Sequence, residues 1–290
     1  MKVTNKMNLP EALVKAVSRE RHNEKGHYSA TTLLKGACEV VLMDRHFDEI
    51  EVDASDSIWA IFGSAVHSIF EKQEDETFKE ESFEVKIGES VVTGKVDSYD
   101  LENEILIDWK TASVWKVQFQ DFDDWKKQGL IYSWLLKQNG LNVKKCRFIA
   151  LLKDHSKSKA RFDVNYPQSP CFVYEFDVTE KYLDEIEVFI KTKLESIRKA
   201  EEQADEKLEP CSKDERWATD DKFAVMKEGR KTAFKLFDKR EEAEKMLETL
   251  DDKHWLQERK GESKKCVDYC VCRDFCPFYK SIKSINAVGD

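Results

Sequence analysis

The sequence predicts a mixed α/β protein: a central β-sheet flanked by helices, followed by a cysteine-tied C-terminal extension. Three observations predict it. Hydrophobic spacing changes from helical to alternating after about residue 74 and returns to helical after about residue 120. The segments then read helix, three strands, helix, two strands, helix, the order of a sheet covered by helices. Finally, Cys266, Cys270, Cys272 and Cys276, four of the eight cysteines, fall within eleven residues near the C-terminus. The expected division is a core over residues 1–205, including a helical N-terminal part, and a cysteine-rich region over residues 206–290.

A short helix is expected over residues 10–22. From Asp56 to Glu74, Ile58, Phe62, Ala65, Val66, Ile69 and Phe70 recur at helical spacing. Phe83–Ile87, Val91–Tyr99 and Ile105–Lys110 read as strands, with Gly88 at the first turn and residues 101–103 at the second. A helix from Asp121 to Gln138 ends at Asn139-Gly140, a C-cap pair. Cys146–Lys153 and Cys171–Val178 read as two more strands. Thr179 then caps a long helix with Leu183, Ile186, Ile190, Leu194 and Ile197 on one side. That helix turns polar near Glu201, which predicts solvated last turns. Beyond Cys211 a small hairpin (Phe223–Val225 with Thr232–Phe237) and a helix near Glu241–Leu250 are expected. There is no internal repeat and no low-complexity linker.

The chain has 290 residues, 41% of them hydrophobic and 36% charged, with 17 Phe, 8 Tyr and 7 Trp, enough for a packed core. Its mean hydropathy is −0.62. No apolar run reaches the roughly 18 residues of a membrane span, and the first residues lack the apolar stretch of an export signal. A cytoplasmic protein is therefore expected, with no membrane partner. A net charge of −9 argues against a basic nucleic-acid coat protein. Clustered cysteines in a reducing compartment point to a metal rather than to disulfides.

The chemistry concentrates in Gly94-Lys95-Val96-Asp97 and Ile107-Asp108-Trp109-Lys110. Asp97 and Asp108 stand on sequential strands, and Asp108 and Lys110 are i and i+2 on one strand, so their side chains share a face. Two carboxylates and an ammonium there suit a divalent cation with a cation beside it. Hard oxygen ligands select Mg²⁺ or Mn²⁺, which bind phosphate and activate water. Charges within so apolar a strand must be paired or bind metal. Gly63, His67 and Glu71 line one stripe of the earlier helix, with the glycine leaving room beside the histidine. Gln128 and Tyr132, spaced i, i+4, stand with Trp125 on the later helix.

Four segments in this order, GSAVH (63–67), GKVD (94–97), IDWK (107–110) and QGLIY (128–132), resemble the PD-(D/E)XK nuclease superfamily in its RecB-like branch. The likeness runs over about residues 28–155, and HYSATTLLKGA and SDSIWAIFGSAVHSIFE are most similar to phage-type exonucleases. It implies a restriction-endonuclease-like core and an Mg²⁺- or Mn²⁺-dependent deoxyribonuclease. His67, Asp97, Asp108 and the Trp109 carbonyl are the implied metal ligands, and Lys110 the catalytic lysine. Gln128 and Tyr132 position DNA or organise the site. A glutamate ahead of the hairpin, Glu84 or Glu81, completes the implied set.

Similar nucleases join a C-terminal cysteine triplet to one distant cysteine in a [4Fe–4S] cluster, and a cubane needs four thiolates. Cys266, Cys270 and Cys276 form the triplet here. Cys211 is the preferred fourth ligand, with Cys38 and Cys272 as alternatives and Zn²⁺ as the alternative metal. Cys146 and Cys171, in apolar strand patterns, are expected to be buried thiols.

Lys126 and Lys127, beside Gln128, are the preferred phosphate contacts, ahead of the basic runs 153–161 and 227–235. Trp125 and Tyr132 are candidate stacking surfaces for unpaired bases. The expected activity is exonucleolytic cleavage of DNA with a free end and a single-strand preference. An endonuclease or nickase on the same core, or a silent DNA-binding scaffold, is the alternative. No P-loop motif occurs, so unwinding would fall to a helicase or recombination partner. If phage-encoded, the protein would act in the bacterial host's cytoplasm.

Overall fold

The structure is a computed structural model that describes residues 1–18, 24–73 and 77–288. It divides into two compact units, Met1–Ala204 and Asp205–Asp290. In the first, chain order runs β1 (Lys2–Thr4), α1 (Glu11–Val17), β2 (His27–Ser29), α2 (Ala30–Leu33), α3 (Ala37–Arg45) and β3 (Glu51–Asp53). Next come α4 (Ile58–Glu71), β4 (Thr77–Ile87), β5 (Ser90–Asp100), β6 (Ile105–Ala112), α5 (Val114–Gln118) and α6 (Asp123–Gln138). The unit closes with β7 (Lys145–Leu152), α7 (Lys157–Phe162), β8 (Cys171–Asp177) and α8 (Glu180–Glu201). The expected helix over 10–22 spans only Glu11–Val17, and residues 19–22 of it lie outside those described, as does Glu74.

This is a mixed α/β unit with a central mixed sheet, strand order β2-β5-β6-β7-β8, and β4 paired to β5. β4 runs antiparallel along β5 from Ile87↔Ser90 to Thr77↔Asp100. On its other side β5 has two partners in turn. β2 pairs parallel with Val91–Thr93, and β6 pairs antiparallel only from Ser98↔Ile107 to Asp100↔Ile105. Residues 94–97 lie between those two ladders, so the sheet splits along the GKVD segment. β6 meanwhile pairs with β7 in parallel over its full length, which holds it while β5 diverges.

Helix α6 packs against the sheet and against α8. Trp125 and every residue from Gln128 to Leu136 are buried in it. A helix buried nearly all round belongs to a core. Gly94 admits it: a Cβ there would stand 2.6 Å from Leu135 Cδ1 and 2.9 Å from Tyr132. Asn139 and Gly140, the latter at φ +84°, end α6 as expected. Thr179 caps α8 by accepting from the Tyr182 N–H, and the predicted apolar row is buried. The last turn of α8 is solvated as expected at Arg198, Lys199 and Glu201, but only on one side. Ile197 and Ala200 are buried, Tyr28 donates to Glu201 Oε1 at 2.8 Å, and Arg45 donates to the Glu201 carbonyl at 2.9 Å. Long-range partners decided this, and the local sequence does not reveal them.

The second unit holds β9 (Lys222–Lys227), β10 (Lys235–Phe237), α9 (Arg240–Leu247), β11 (His254–Arg259) and α10 (Pro277–Val288). The hairpin β9–β10 forms as predicted, and β11 adds an antiparallel third strand on the other side of β9. The sequence HWLQER hides that strand because its residues after Leu256 are exposed and polar. Among the described residues no helix is long and apolar enough to cross a membrane.

Candidate active site and cysteine centre

The split in the sheet places the predicted residues together. The β5–β6 ladder ends at Ser98↔Ile107, one pair short of Asp97 and Asp108. The Trp109 N–H, left without a strand partner there, donates to Asp97 Oδ2 at 2.9 Å. A strand residue's N–H and C=O leave on the same side, so the Trp109 carbonyl also faces the gap. Helix α4 covers the Trp109 face, where Phe70 stacks on the Trp109 ring with centroids 4.0 Å apart. It brings His67 Nδ1 to 3.2 Å from Asp97 Oδ1. Helix α6 covers the opposite face, bringing Gln128 to Lys110. The opening between β5 and β6 is what lets helices on both faces reach one point.

Asp108 is only 4% exposed. Its Oδ1 lies 2.6 Å from Lys110 Nζ as an ion pair without hydrogen-bond alignment. Burial, opposed by Lys110 and reinforced by the neighbouring Asp97, pushes the Asp108 carboxyl up to about 6. The hydrogen bond from His67 to Asp97 raises the imidazole pKa despite burial. Lys110 Nζ also donates to Gln128 Oε1 at 2.9 Å, and Gln128 Nε2 donates to the Tyr132 hydroxyl at 3.3 Å. The lysine is thus fixed from two sides, and the buried Gln128–Tyr132 pair orients it.

Several sequence-derived assignments are corrected. Glu84 is exposed on β4, and its carbonyl accepts from Asn139 at the far end of α6. That is about 16 Å along the helix from Gln128 at 1.5 Å per residue, so Glu84 is not in the site. Glu81 is exposed opposite Val96. Trp125 offers no stacking surface; it is buried with its ring stacked on Phe148 at 5.7 Å. Tyr132 is buried too, against Gly94. Lys126 and Lys127 keep their standing as candidate phosphate contacts: Lys127 is exposed, and their ammonium groups lie 4.1 Å from the Tyr182 ring and 5.1 Å from the Phe189 ring of α8. Gly63 makes no close approach: a Cβ there would meet nothing nearer than Thr111 Oγ1 at 3.8 Å. In α4 only Val66 is buried, while Ile58, Phe62 and Ile69 are exposed. Helical spacing reports a stripe and not whether anything covers it.

The cysteines are all thiols, none in a disulfide. Cys146 is buried beside Ser133 as expected and its thiol is pushed up to about 12 by burial, whereas Cys171 at the head of β8 is exposed. Cys38 is buried in α3 of the first unit. In the second unit a single π-helical turn, Lys265–Tyr269, carries Cys266 and is closed by Cys270 N–H donating to the Lys265 carbonyl at 2.7 Å. Arg216 joins this turn to the Cys211 segment. Its guanidinium donates to the Cys211 carbonyl (2.7 Å) and to Ser263 Oγ (2.9 Å), and lies 4.2 Å from the Phe278 ring centre. The Cys266 thiol is pushed up to about 11 by burial and then by the neighbouring Cys270, Cys211 and Cys276. Cys272 is buried, with Sγ 3.5 Å from Cys270 Sγ. Sequence reasoning missed Arg216, whose role depends on contacts 47 and 62 residues away.

Among the described residues, no group of three or more His, Cys, Asp or Glu side chains is drawn together closely enough to hold a metal ion as it stands. Both donor sets nonetheless suit one chemically. Asp108 carries a buried oxygen without a hydrogen bond beside a second carboxylate and an imidazole. Cys266 has three cysteines for neighbours, and ionising them together would create a repulsion that a bound cation relieves.

No family model and no curated protein matches the sequence. Among solved structures, the chain is similar to SSO0001, at 18% identity over 62% of this chain and 81% of that one, with a TM-score of 0.42. It is similar to a phage related exonuclease from Haemophilus somnus 129PT at 11% identity, over 63% of this chain and 90% of that one, with a TM-score of 0.34. It is also similar to LHK-Exo, an alkaline exonuclease from Laribacter hongkongensis, at 12% identity over 60% and 89%, with a TM-score of 0.37.

Proposed function

We propose that the protein is a metal-dependent DNA nuclease that hydrolyses phosphodiester bonds from a free end, with a preference for single strands. One observation carries this reading: the meeting of His67, Asp97, Asp108 and Lys110 in the split between β5 and β6. His67, Asp97, Asp108 and the Trp109 carbonyl would hold Mg²⁺ or Mn²⁺. When bound, that ion would neutralise the scissile phosphate and acidify a water molecule. Lys110, anchored by Asp108 and Gln128, presents its ammonium to the attacking water or to charge developing on the phosphate. Gln128, backed by Tyr132, holds the lysine in that posture. The Cys211, Cys266, Cys270 and Cys276 thiolates are proposed as ligands of a structural [4Fe–4S] cluster, with Zn²⁺ as the alternative.

The end requirement and the strand preference rest on the motif resemblance to RecB-like exonucleases. The test is cleavage of linear and closed circular single-stranded DNA of equal length, with Mg²⁺ or with EDTA, at fixed salt. Cutting of the linear form alone, abolished by EDTA, is the expected result. Equal cutting of both forms would make the protein an endonuclease on the same core. No cutting of either would leave a DNA-binding scaffold.

A further inference from the structure

Four large aromatic side chains of the first unit stand in solvent around the end of β6. Trp59 (61% exposed) and Phe62 (41%) lie on α4, Trp115 (56%) lies on α5, and Phe119 (73%) caps the C-terminus of α5. Each pair holds itself together. Trp59 and Phe62 meet edge-to-face at 6.4 Å, and Trp115 stacks on Phe119 at 5.6 Å. Solvent-facing aromatics gathered in this way mark a surface that binds something.

Two contacts tie both pairs to the end of β6. The N–H of Lys153 donates to the carbonyl of Ala112, the last residue of β6, and Lys153 Nζ lies 4.1 Å from the Trp59 ring centre. The next residue, Asp154, accepts from Ser113 Oγ at 2.6 Å and from Val114 N–H at 2.8 Å, which seats the start of α5 and hence Trp115. Ala112 is two residues beyond Lys110 on the same strand. Trp59, Gly63 and His67 are i, i+4 and i+8, so Trp59 stands about 12 Å along α4 from the imidazole.

We propose that these aromatics form a stacking platform for unpaired bases of the strand entering the site, with Lys153 meeting the phosphates between them. The inference deepens the nuclease reading and rests on it. The occupant follows from charge and shape together. An aromatic ring with an ammonium against it matches a base with its attached phosphate, and the basic run from Lys153 to Arg161 continues the positive surface. The nearby Asp154 carboxylate is engaged by Ser113 and Val114. Bases within a duplex have their faces already stacked, so the platform favours a single strand over a double one.

Binding is measured by fluorescence anisotropy in EDTA, with three probes of equal length: labelled oligothymidylate, a duplex, and a strand of abasic sugar-phosphate. Trp59→Ala and Trp115→Ala should each weaken oligothymidylate binding at least about fivefold, within the range of base–aromatic stacking. Trp59→Phe should retain most of the affinity. Neither alanine variant should alter duplex or abasic binding, the salt dependence, or the thermal midpoint, because both side chains are exposed. Unchanged oligothymidylate binding, or equal loss on all three probes, overturns the platform. So does a change in sedimentation without a change in DNA binding, which would assign the patch to a protein partner. Wild-type protein that binds through these tryptophans but cuts no strand with Mg²⁺ would sink the nuclease reading alone. A protein that cuts, with binding indifferent to both tryptophans, would sink the platform alone.

Discussion

In the first unit Asp97, Asp108 and Lys110 stand on strands of a six-stranded sheet backed by a helix buried nearly all round. In the second, which also holds a three-stranded sheet, the four cysteines proposed as ligands lie outside the strands, on loops and one π-helical turn. The sheet can bury a carboxylate before any ligand arrives, because hydrogen-bonded neighbours and a lysine offset part of the desolvation cost. A turn has no such ladder. Arg216 holds the Cys211 carbonyl, and a Cys270 N–H bond closes the Cys266 turn; on the proposed cluster reading, a bound metal would tie these segments together.

Removing one of the proposed cysteine ligands tests that difference most severely. Cys266→Ser should abolish the second unit's cooperative unfolding transition, a loss on the order of 10 kcal/mol judged from structural zinc sites. The first unit's transition should persist in the same calorimetric scan. Anaerobic wild-type protein should be brown and bleach with dithionite, and Cys211→Ser and Cys276→Ser should be colourless while Cys272→Ser stays brown. Colourless wild-type protein carrying zinc would replace the iron–sulfur assignment.

In the sheet, the expected loss is one of rate. Asp108→Asn keeps the volume of a buried side chain and should lower Mg²⁺-dependent cleavage at least about a hundredfold without unfolding the protein. Asp108→Ala should be equally inactive and less stable than Asp108→Asn by about 1–3 kcal/mol, because it also leaves a cavity and no polar group beside Lys110. Equal activity of both variants and wild type would remove the site from β6.

The glycines give the finer contrast. Gly94→Ala forces a Cβ within 2.6 Å of Leu135 and should cost about 1–3 kcal/mol by overpacking, read from denaturant midpoints. It should also slow cleavage, since Tyr132 is the other side chain displaced and supports Gln128. Gly63→Ala, with its nearest neighbour at 3.8 Å, should be neutral or stabilise by up to about 1 kcal/mol through helix propensity. A large loss at Gly63 would mean that α4 sits closer to β6 than these distances allow.

The alternation of polar and apolar residues placed β5, β6 and β7 to within a few residues, because a strand half-buried in a sheet writes its period directly into sequence. The i, i+2 relation of Asp108 to Lys110 and the i, i+4 relation of Gln128 to Tyr132 were likewise legible, since each is local geometry. β4 begins six residues before the Phe83 that the alternation marks, because residues 77–82 carry one apolar residue, Phe78, among polar ones and draw their hydrogen bonds from β5. What covers each element was not legible. The sequence of α6 shows Trp125, Lys126 and Gln128 side by side. Only packing against the sheet and α8 makes the tryptophan core and turns the lysine toward Tyr182.

The apolar stripe of α4 reads the same whether buried or bare, and the tertiary structure leaves most of it bare. By itself, then, the sequence determined the order of elements, the identity of the charged residues and the grouping of the C-terminal thiols, because propensity and spacing act within a few residues. Only the tertiary structure decided that β5 parts from β6 at Asp97, that Arg216 joins Cys211 to the Cys266 turn, and that the solvent-facing aromatics lie at the end of β6. Each of those depends on which distant backbone groups find partners, and that competition is resolved by the whole chain at once.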